Sequence, residues 1–499
     1  MRSEQFLQHH GIAANPFAEE DAQNDPVFKK RCRESIYHPA WDKVFGDPSD
    51  PATSLVFGEK GAGKTAMRIQ MLGRIEEHNQ AAPNERVWVV QYDDFNPFLD
   101  RFADRLPARK RKEPAKVLAE WKLWDHMDAI LALAVTDLVD HVLGSNKQRG
   151  TRVNGIGNVS AAARLDTAQK RDLLLLAACY DDSTAEPFTS RWRRLRRVLR
   201  FPTWRSWGWF SVGVLVTAAV AGVVAGTGHW EWLRWIWPYL VVLAGWLPWL
   251  WKTWSRRLDA SRIASRVRVL RRDRPSLSVL LSSLPASDLE NQPLPTKQRT
   301  DDRYELLAKL QGLLRSLGST GMLVLVDRVD EPHLVKGSGK LMRDFVWSLL
   351  DNKFLKQPGL GVKLLLPAEL FENVQREDRD FHQRARLDKQ NMVPSLDWTG
   401  EALIDLTNAR LAACAAEGQH PTVRSLFADD ISDERLTEAF RSLRTPRHLF
   451  KFLYRLISTH CGNYTDDRPE WRVPKATFET TLAVYGREQA ATDRGLAAG

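Results

Sequence analysis

The stretch T-S-L-V-F-G-E-K-G-A-G-K-T-A-M-R-I-Q-M-L-G-R-I, Thr53 to Ile75, decides the fold. A short apolar run suited to a buried strand leads into a glycine-rich loop, and apolar residues at helical spacing follow it. Gly58, Gly61 and Gly63 allow the backbone to curl until its N–H groups point at a phosphate chain, helped by the positive end of the next helix. The expected nucleotide-binding residues are Gly58, Glu59, Lys60, Gly61, Ala62, Gly63, Lys64, Thr65 and Ala66. Lys64 is expected to neutralise the β- and γ-phosphates and the Thr65 hydroxyl to ligate Mg²⁺. The expected ligand is Mg·ATP, since no guanine-reading N-K-x-D motif occurs in the chain.

A phosphate loop of this kind needs a second apolar strand that ends in an acidic residue. M-L-V-L-V-D-R-V-D-E, Met322 to Glu331, supplies it. Asp327 is placed to hold the metal through its water shell. The following position, where a water-activating carboxylate is common, is Arg328, which stays protonated and is no base. The catalytic carboxylate is therefore expected at Asp330 or Glu331. Two further strands are expected over Arg86 to Phe95 and Gly361 to Leu370, and Glu369 is the nearest polar residue at the tip of the latter.

At 499 residues the chain is too long for one ordinary core, and its net charge of +10 asks for a location. Residues 191–274 carry about 17 Lys and Arg against about 3 Asp and Glu, which leaves the remainder slightly acidic. A general nucleic-acid surface is thereby disfavoured, because the bulk has no basic excess with which to release phosphate counterions. Cys32, Cys179, Cys414 and Cys461 show no metal-binding or disulfide spacing and read as reduced thiols. The N-terminus lacks the apolar core of a secretory signal, which places the expected start of the chain in the cytoplasm.

The local basicity brackets an apolar segment. Trp207 to Thr227 holds no charged residue, and a second apolar run follows from Trp235 to Trp251. About 20 apolar residues span a bilayer core, so two transmembrane helices are expected. Twelve of the 19 tryptophans fall between Trp192 and Trp254, as in an interfacial aromatic belt. One flank carries Arg191, Arg193, Arg194, Arg196, Arg197, Arg200 and Arg205. The other carries Lys252, Arg256, Arg257, Arg262, Arg266, Arg268, Arg271, Arg272 and Arg274. Basic flanks on both sides put both large parts of the chain at the cytoplasmic face of the inner membrane, against anionic lipid. Small residues such as Gly213, Ala218 and Gly222 suit close helix approach between protomers, so a homo-oligomer is expected.

The P-loop, the membrane insertion ahead of the acidic strand and the helical C-terminal part together resemble the KAP family of P-loop NTPases. A-R-L-D-K-Q-N-M-V-P-S-L, Ala385 to Leu396, resembles that family's L-E-K-I-I-Q segment, and L-R-T-P-R-H-L-F-K-F-L from Leu443 resembles its T-P-R-x-x-x-R-F motif. The D-R-V-D-E stretch departs from the family and is closer to the D-G-L-D-E pattern of NACHT-type signalling NTPases. The resemblance implies an ATPase acting as a nucleotide-driven signalling switch, with prokaryotic anti-phage defence as its setting and an effector protein as a further partner. It also makes Arg447 the lid arginine that touches the γ-phosphate. Arg384 and Arg386 are candidate arginine fingers for a neighbouring protomer.

The expected fold is α/β: a P-loop NTPase core with a parallel sheet, a transmembrane helical hairpin inserted into it, and a C-terminal helical lid. In chain order, 1–50 is an N-terminal segment packing on the core, with its turn-forming and aromatic residues on the adenine side. Residues 51–95 begin the core, 96–206 form a helical arm and 207–251 the hairpin. A basic helical arm follows over 252–318, the second part of the core over 319–398 and the lid over 399–499. Two other functions fit the same residues. One is a membrane effector gated by nucleotide binding without turnover. The other is a soluble remodelling or DNA-handling ATPase of AAA type, against which the acidic remainder counts.

Overall fold

The computed structural model describes residues 1–34, 36–145, 154, 162, 165–201, 207–228, 230–267, 274–284, 289 and 292–493. Arg205, Arg268, Arg271 and Arg272 of the basic flanks lie outside them. The chain divides into two compact units: Met1–Ala82 with Gln91–Phe95 and Met322–Gly499, and Pro83–Val90 with Asn96–Gly321.

Five strands form one sheet: β1 (Ser54–Gly58), β2 (Arg86–Tyr92), β3 (Ser319–Val326), β4 (Leu360–Pro367) and β5 (Asn391–Val393), in the order β2-β3-β4-β1-β5. β1 runs parallel to β4 and β5, and β3 runs parallel to β4. The central strands are continuous apolar rows because a parallel sheet is covered on both faces. Their register positions the site. Gly58 pairs with Pro367 while Val326 pairs with Leu364, so β3 ends lower on β4 than β1 does. Asp327, the next residue, therefore comes to lie beneath the start of the helix that follows the P-loop.

β4 carries one charged residue inside the sheet. Lys363 is buried, and its Nζ donates to the carbonyl oxygens of Val44 (2.6 Å) and Phe45 (3.0 Å). Burial lowers its pKa to about 7. The unfolded chain keeps that proton up to the ordinary lysine range near 10.5, so it binds more protons than the folded chain between these values. Stability is accordingly expected to rise as pH rises from about 7 toward 10.5. Denaturation of Lys363→Met across this range should show a flatter profile, and a slope equal to wild type would refute the assignment.

After β5 come the helices Gly400–Ala413, Asp433–Leu443, Pro446–Asn463 and Lys475–Asp493. Phe6, Leu7, Ile12 and Phe17 from the N-terminus complete their core, among Leu403, Phe440, Phe452 and Phe478. The first residues thus join the C-terminal helices, and helix Trp41–Phe45 packs on β1 and β5. All four cysteines are buried and none is in a disulfide.

The second unit is helical. Helix Leu123–Leu143 is buried along most of its length, buried polar residues Asp125, His126, Asp128 and Asp140 included, with helices Thr167–Tyr180, Phe188–Val198 and Asp301–Ser316 around it. Asp301–Ser316 follows the apolar segment in sequence, so the stretches before and after that segment build one helical body. Arg303 forks onto Asp128 at 3.0 and 2.9 Å, and the Tyr180 hydroxyl donates to the same carboxylate at 2.7 Å. Arg191, expected among the lipid-facing cations, is instead 1% exposed and holds Asp181 and Asp140 at 2.7 and 2.8 Å. Two interior carboxylates claim it, and a buried guanidinium without them would be too costly.

Helices Trp207–Thr227 and Trp237–Arg266 pack as an antiparallel hairpin. The close approach is made by glycine: a Cβ on Gly213 would lie 2.8 Å from the Trp246 ring, and one on Gly245 would lie 2.8 Å from Val216. Trp246 Nε1 donates to Thr217 Oγ1 at 2.9 Å, locking the register. Leu215, Val223, Tyr239, Leu243, Leu247 and Trp251 are exposed, so this hairpin is no core element. The expectation of two spans is corrected. Among the described residues one helix, over Phe210–Thr227, is long and apolar enough to cross a membrane. The second helix begins at Trp237 and meets Lys252 after about 15 apolar residues, roughly 22 Å of rise, short of the ~30 Å hydrocarbon core.

Candidate nucleotide site

β1 ends in Gly58 and the loop returns through Gly61 and Gly63, whose φ values of +91° and +102° are left-handed. L side chains avoid that region, which explains the glycines at these two places. Gly58 needs no such freedom; there the limit is space, since a Cβ would lie 3.2 Å from Leu396. Gly63 caps helix Lys64–Ala81 with no side chain, so the first N–H groups of the helix keep their full capacity for an anion. Lys64 Nζ donates to the carbonyl oxygens of Gly58 (2.6 Å) and Glu59 (3.0 Å), folding the side chain over the loop. Burial lowers its pKa, against the pull of Asp327, Asp330 and Glu369. Of these, Glu369 is an exposed residue in the first turn of helix Ala368–Gln375.

Thr65 Oγ1 donates to Asp327 Oδ2 at 3.1 Å, so the two expected metal residues meet across the sheet. Asp327 is 1% exposed, and Arg328 N donates to its Oδ1 at 3.0 Å. Burial raises the pKa of Asp327, opposed first by the guanidinium of Arg68. Thr65 and Asp327 offer hard oxygens at a short mutual distance, which fits a water-bridged Mg²⁺.

Asp330 and Glu331 lie on the turn after β3. Glu331 is exposed and points to Arg328, whose Nη1 is 3.5 Å away. Partial burial raises the Glu331 pKa, Arg328 pulls it back, and Asp330, Asp327 and Asp21 push it further up. Arg328 has a left-handed φ of +62° and a buried Nε with no hydrogen-bond partner among the described residues. An arginine held in that conformation carries local strain.

The C-terminal helices reach the glycine-rich loop directly. Thr445 Oγ1 caps helix Pro446–Asn463 and Pro446 occupies its first turn, the ordinary chemistry of a helix start. Arg447 follows and lies flat on Gly61: a Cβ there would be 2.5 Å from the Arg447 Cβ. Its Nε is buried and has no hydrogen-bond partner among the described residues. Trp398 Nε1 donates to Ala62 O at 2.9 Å and holds the loop from the side of β5, the strand built by the L-D-K-Q-N-M-V segment. Arg384 lies over the Phe381 ring, and Arg386, at φ +46°, faces Asp388 at 3.6 Å.

A pocket opens beside this loop, lined by Gly61 to Met67, by Gln70, and by Asp21, Phe28, His38, Trp398 and Phe450. Its N-terminal wall is held by Arg410, which donates to Pro16 O, pairs with Asp25 at 2.6 Å and stacks on Phe450. The sequence pointed to the N-terminal segment here but not to Arg410, Trp398 or His38. Arg68 was missed as well. It is 4% exposed, pairs with Asp93, and its Nε stands 3.2 Å from Asp327 Oδ2. In a linear reading an arginine on a surface helix faces solvent; only a break in the apolar periodicity of M-R-I-Q could have marked it.

Comparison with protein-family models, curated proteins and solved structures gives no match for the chain.

Proposed function

We propose that this protein is a membrane-associated, Mg·ATP-binding P-loop NTPase of KAP type that works as a nucleotide-driven signalling switch. The observation that carries the reading is convergence within one unit. Lys64, the free helix start, the Thr65–Asp327 pair and the Arg447 guanidinium surround one loop, with a pocket beside it. Lys64 and Arg447 would bind the phosphates, while Thr65 and Asp327 would hold Mg²⁺, which supplies charge neutralisation at the transferred phosphoryl group. With both residues on the phosphates, Lys64 and Arg447 would tie the C-terminal helices to the loop, and loss of the terminal phosphate would release them. Asp330 and Glu331 are the proposed water-activating groups. The Glu331–Arg328 pair supports a second reading, in which nucleotide binding alone sets the state and turnover awaits an activator.

The exposed apolar hairpin supports residence in a membrane entered from the cytoplasmic side. The proposed setting is prokaryotic anti-phage signalling by a homo-oligomer, with a separate effector protein downstream.

The test is ATP binding and phosphate release by detergent-purified protein, beside Arg447→Ala and the pair Asp330→Asn/Glu331→Gln. Binding should persist in the acidic double variant while turnover falls by about a hundredfold or more, and Arg447→Ala should weaken ATP more than ADP. Absence of ATP binding in the wild type would end the proposal. Removal of 207–251 should release the protein from membranes that otherwise retain it through an alkaline wash; release of the intact chain by that wash would remove the membrane assignment.

A further inference from the structure

We propose that Arg68 stands in for the metal: its guanidinium holds the cationic place beside Asp327, so that a divalent cation enters this site only together with the nucleotide. The inference rests on the nucleotide-binding reading above and adds to it a rule for the order of filling.

Three observations carry it. First, a fixed cation already stands against the Asp327 oxygen that Thr65 shares. Oδ1 accepts from Arg328 N at 3.0 Å, while Oδ2 accepts from Thr65 Oγ1 at 3.1 Å and faces Arg68 Nε at 3.2 Å. Second, Arg68 is fixed from its other end by Asp93, at the close of β2, and by Gln91 Oε1 at 3.3 Å. A guanidinium anchored between two carboxylates does not swing away at little cost. Third, both Arg68 and Asp327 are almost fully buried, where like charges repel strongly. A bare divalent cation approaching Thr65 and Asp327 meets a fixed positive charge in contact with its own ligand. The phosphates of a nucleotide bring the negative charge that offsets it. Arg68 is thus a positioning residue, acting on metal entry through Asp327.

The experiment uses full-length detergent-purified protein without nucleotide, with Mn²⁺ as probe and its electron paramagnetic resonance signal as readout. Arg68→Met should bind Mn²⁺ about 10–100-fold more tightly than wild type, the range over which outer partners tune metal sites. Arg68→Gln should do the same, so a folding failure of one variant leaves the other to decide, with thermal melting as the check. Arg68→Lys keeps the charge and should behave as wild type. Equal Mn²⁺ binding by wild type and the two neutral variants overturns the inference, as does gained binding that survives Asp327→Asn. Titration of the wild type with Mn·ATP separates the two layers. If Mn·ATP binds and the neutral variants show no gain, only the role of Arg68 falls; if Mn·ATP does not bind, the nucleotide reading falls first.

Discussion

On the proposed nucleotide reading, Lys64→Ala is expected to weaken ATP binding by about a hundredfold or more, equivalent to roughly 2.7 kcal/mol, while leaving the fold intact. Lys64 is the cation that the loop itself holds over its own curve, tied to the Gly58 and Glu59 carbonyl oxygens. Each charge-assisted hydrogen bond it gives a phosphate contributes about 1.5–3 kcal/mol. Burial already depresses its pKa, so a bound polyanion strengthens its hold on the proton, and that preference is part of the binding energy. The N–H groups of the loop and the start of helix Lys64–Ala81 remain in the variant and account for residual affinity. Calorimetric titration with ATP decides the matter, with Lys64→Met as a second variant that keeps the aliphatic stem. Affinity within threefold of wild type would mean that phosphate does not bind at this loop.

Asp128→Ala should destabilise the helical unit by about 3–5 kcal/mol, seen as a fall of about 10 °C in its melting transition. Arg303 and Asp128 lie about 175 positions apart in sequence and are 2% and 3% exposed at their side chains. Burial pushes the Asp128 carboxyl up, and Arg303 and the Tyr180 hydroxyl draw it back toward the ionised form. Removing the carboxylate leaves a buried guanidinium without its ion-pair partner, with the Lys297 and Arg299 carbonyl oxygens still accepting from it. The double change Asp128→Leu/Arg303→Met should cost far less, because neither charge is left behind. If the single and double variants melt alike, the pair is no buried ion pair in solution.

What the sequence made legible was local. Strand, loop and helix over Thr53–Ile75 were readable because the glycines at Gly61 and Gly63, the apolar run before them and the helical spacing after them are all fixed by neighbouring residues. Asp327 was readable for the same reason, as the first charge after an apolar strand. The second membrane span was misread because tryptophans extend an apolar run on paper. The helix itself starts only at Trp237 and runs without a break into the charged residues from Lys252 onward. Arg191 was misplaced because a run of arginines carries no mark of which member finds carboxylates inside.

The sequence alone therefore determined that a glycine-rich loop between strand and helix, an acidic strand end and an apolar segment between them exist, since each is set by residues within one or two turns of one another. Tertiary structure alone decided the strand order β2-β3-β4-β1-β5, the seat of Arg447 on Gly61, the entry of the N-terminus into the core of the C-terminal helices, and the meeting of Arg68 with Asp327. These depend on which distant surfaces bury each other. A charged side chain becomes functional or structural according to the partner it meets there, and no local pattern names that partner.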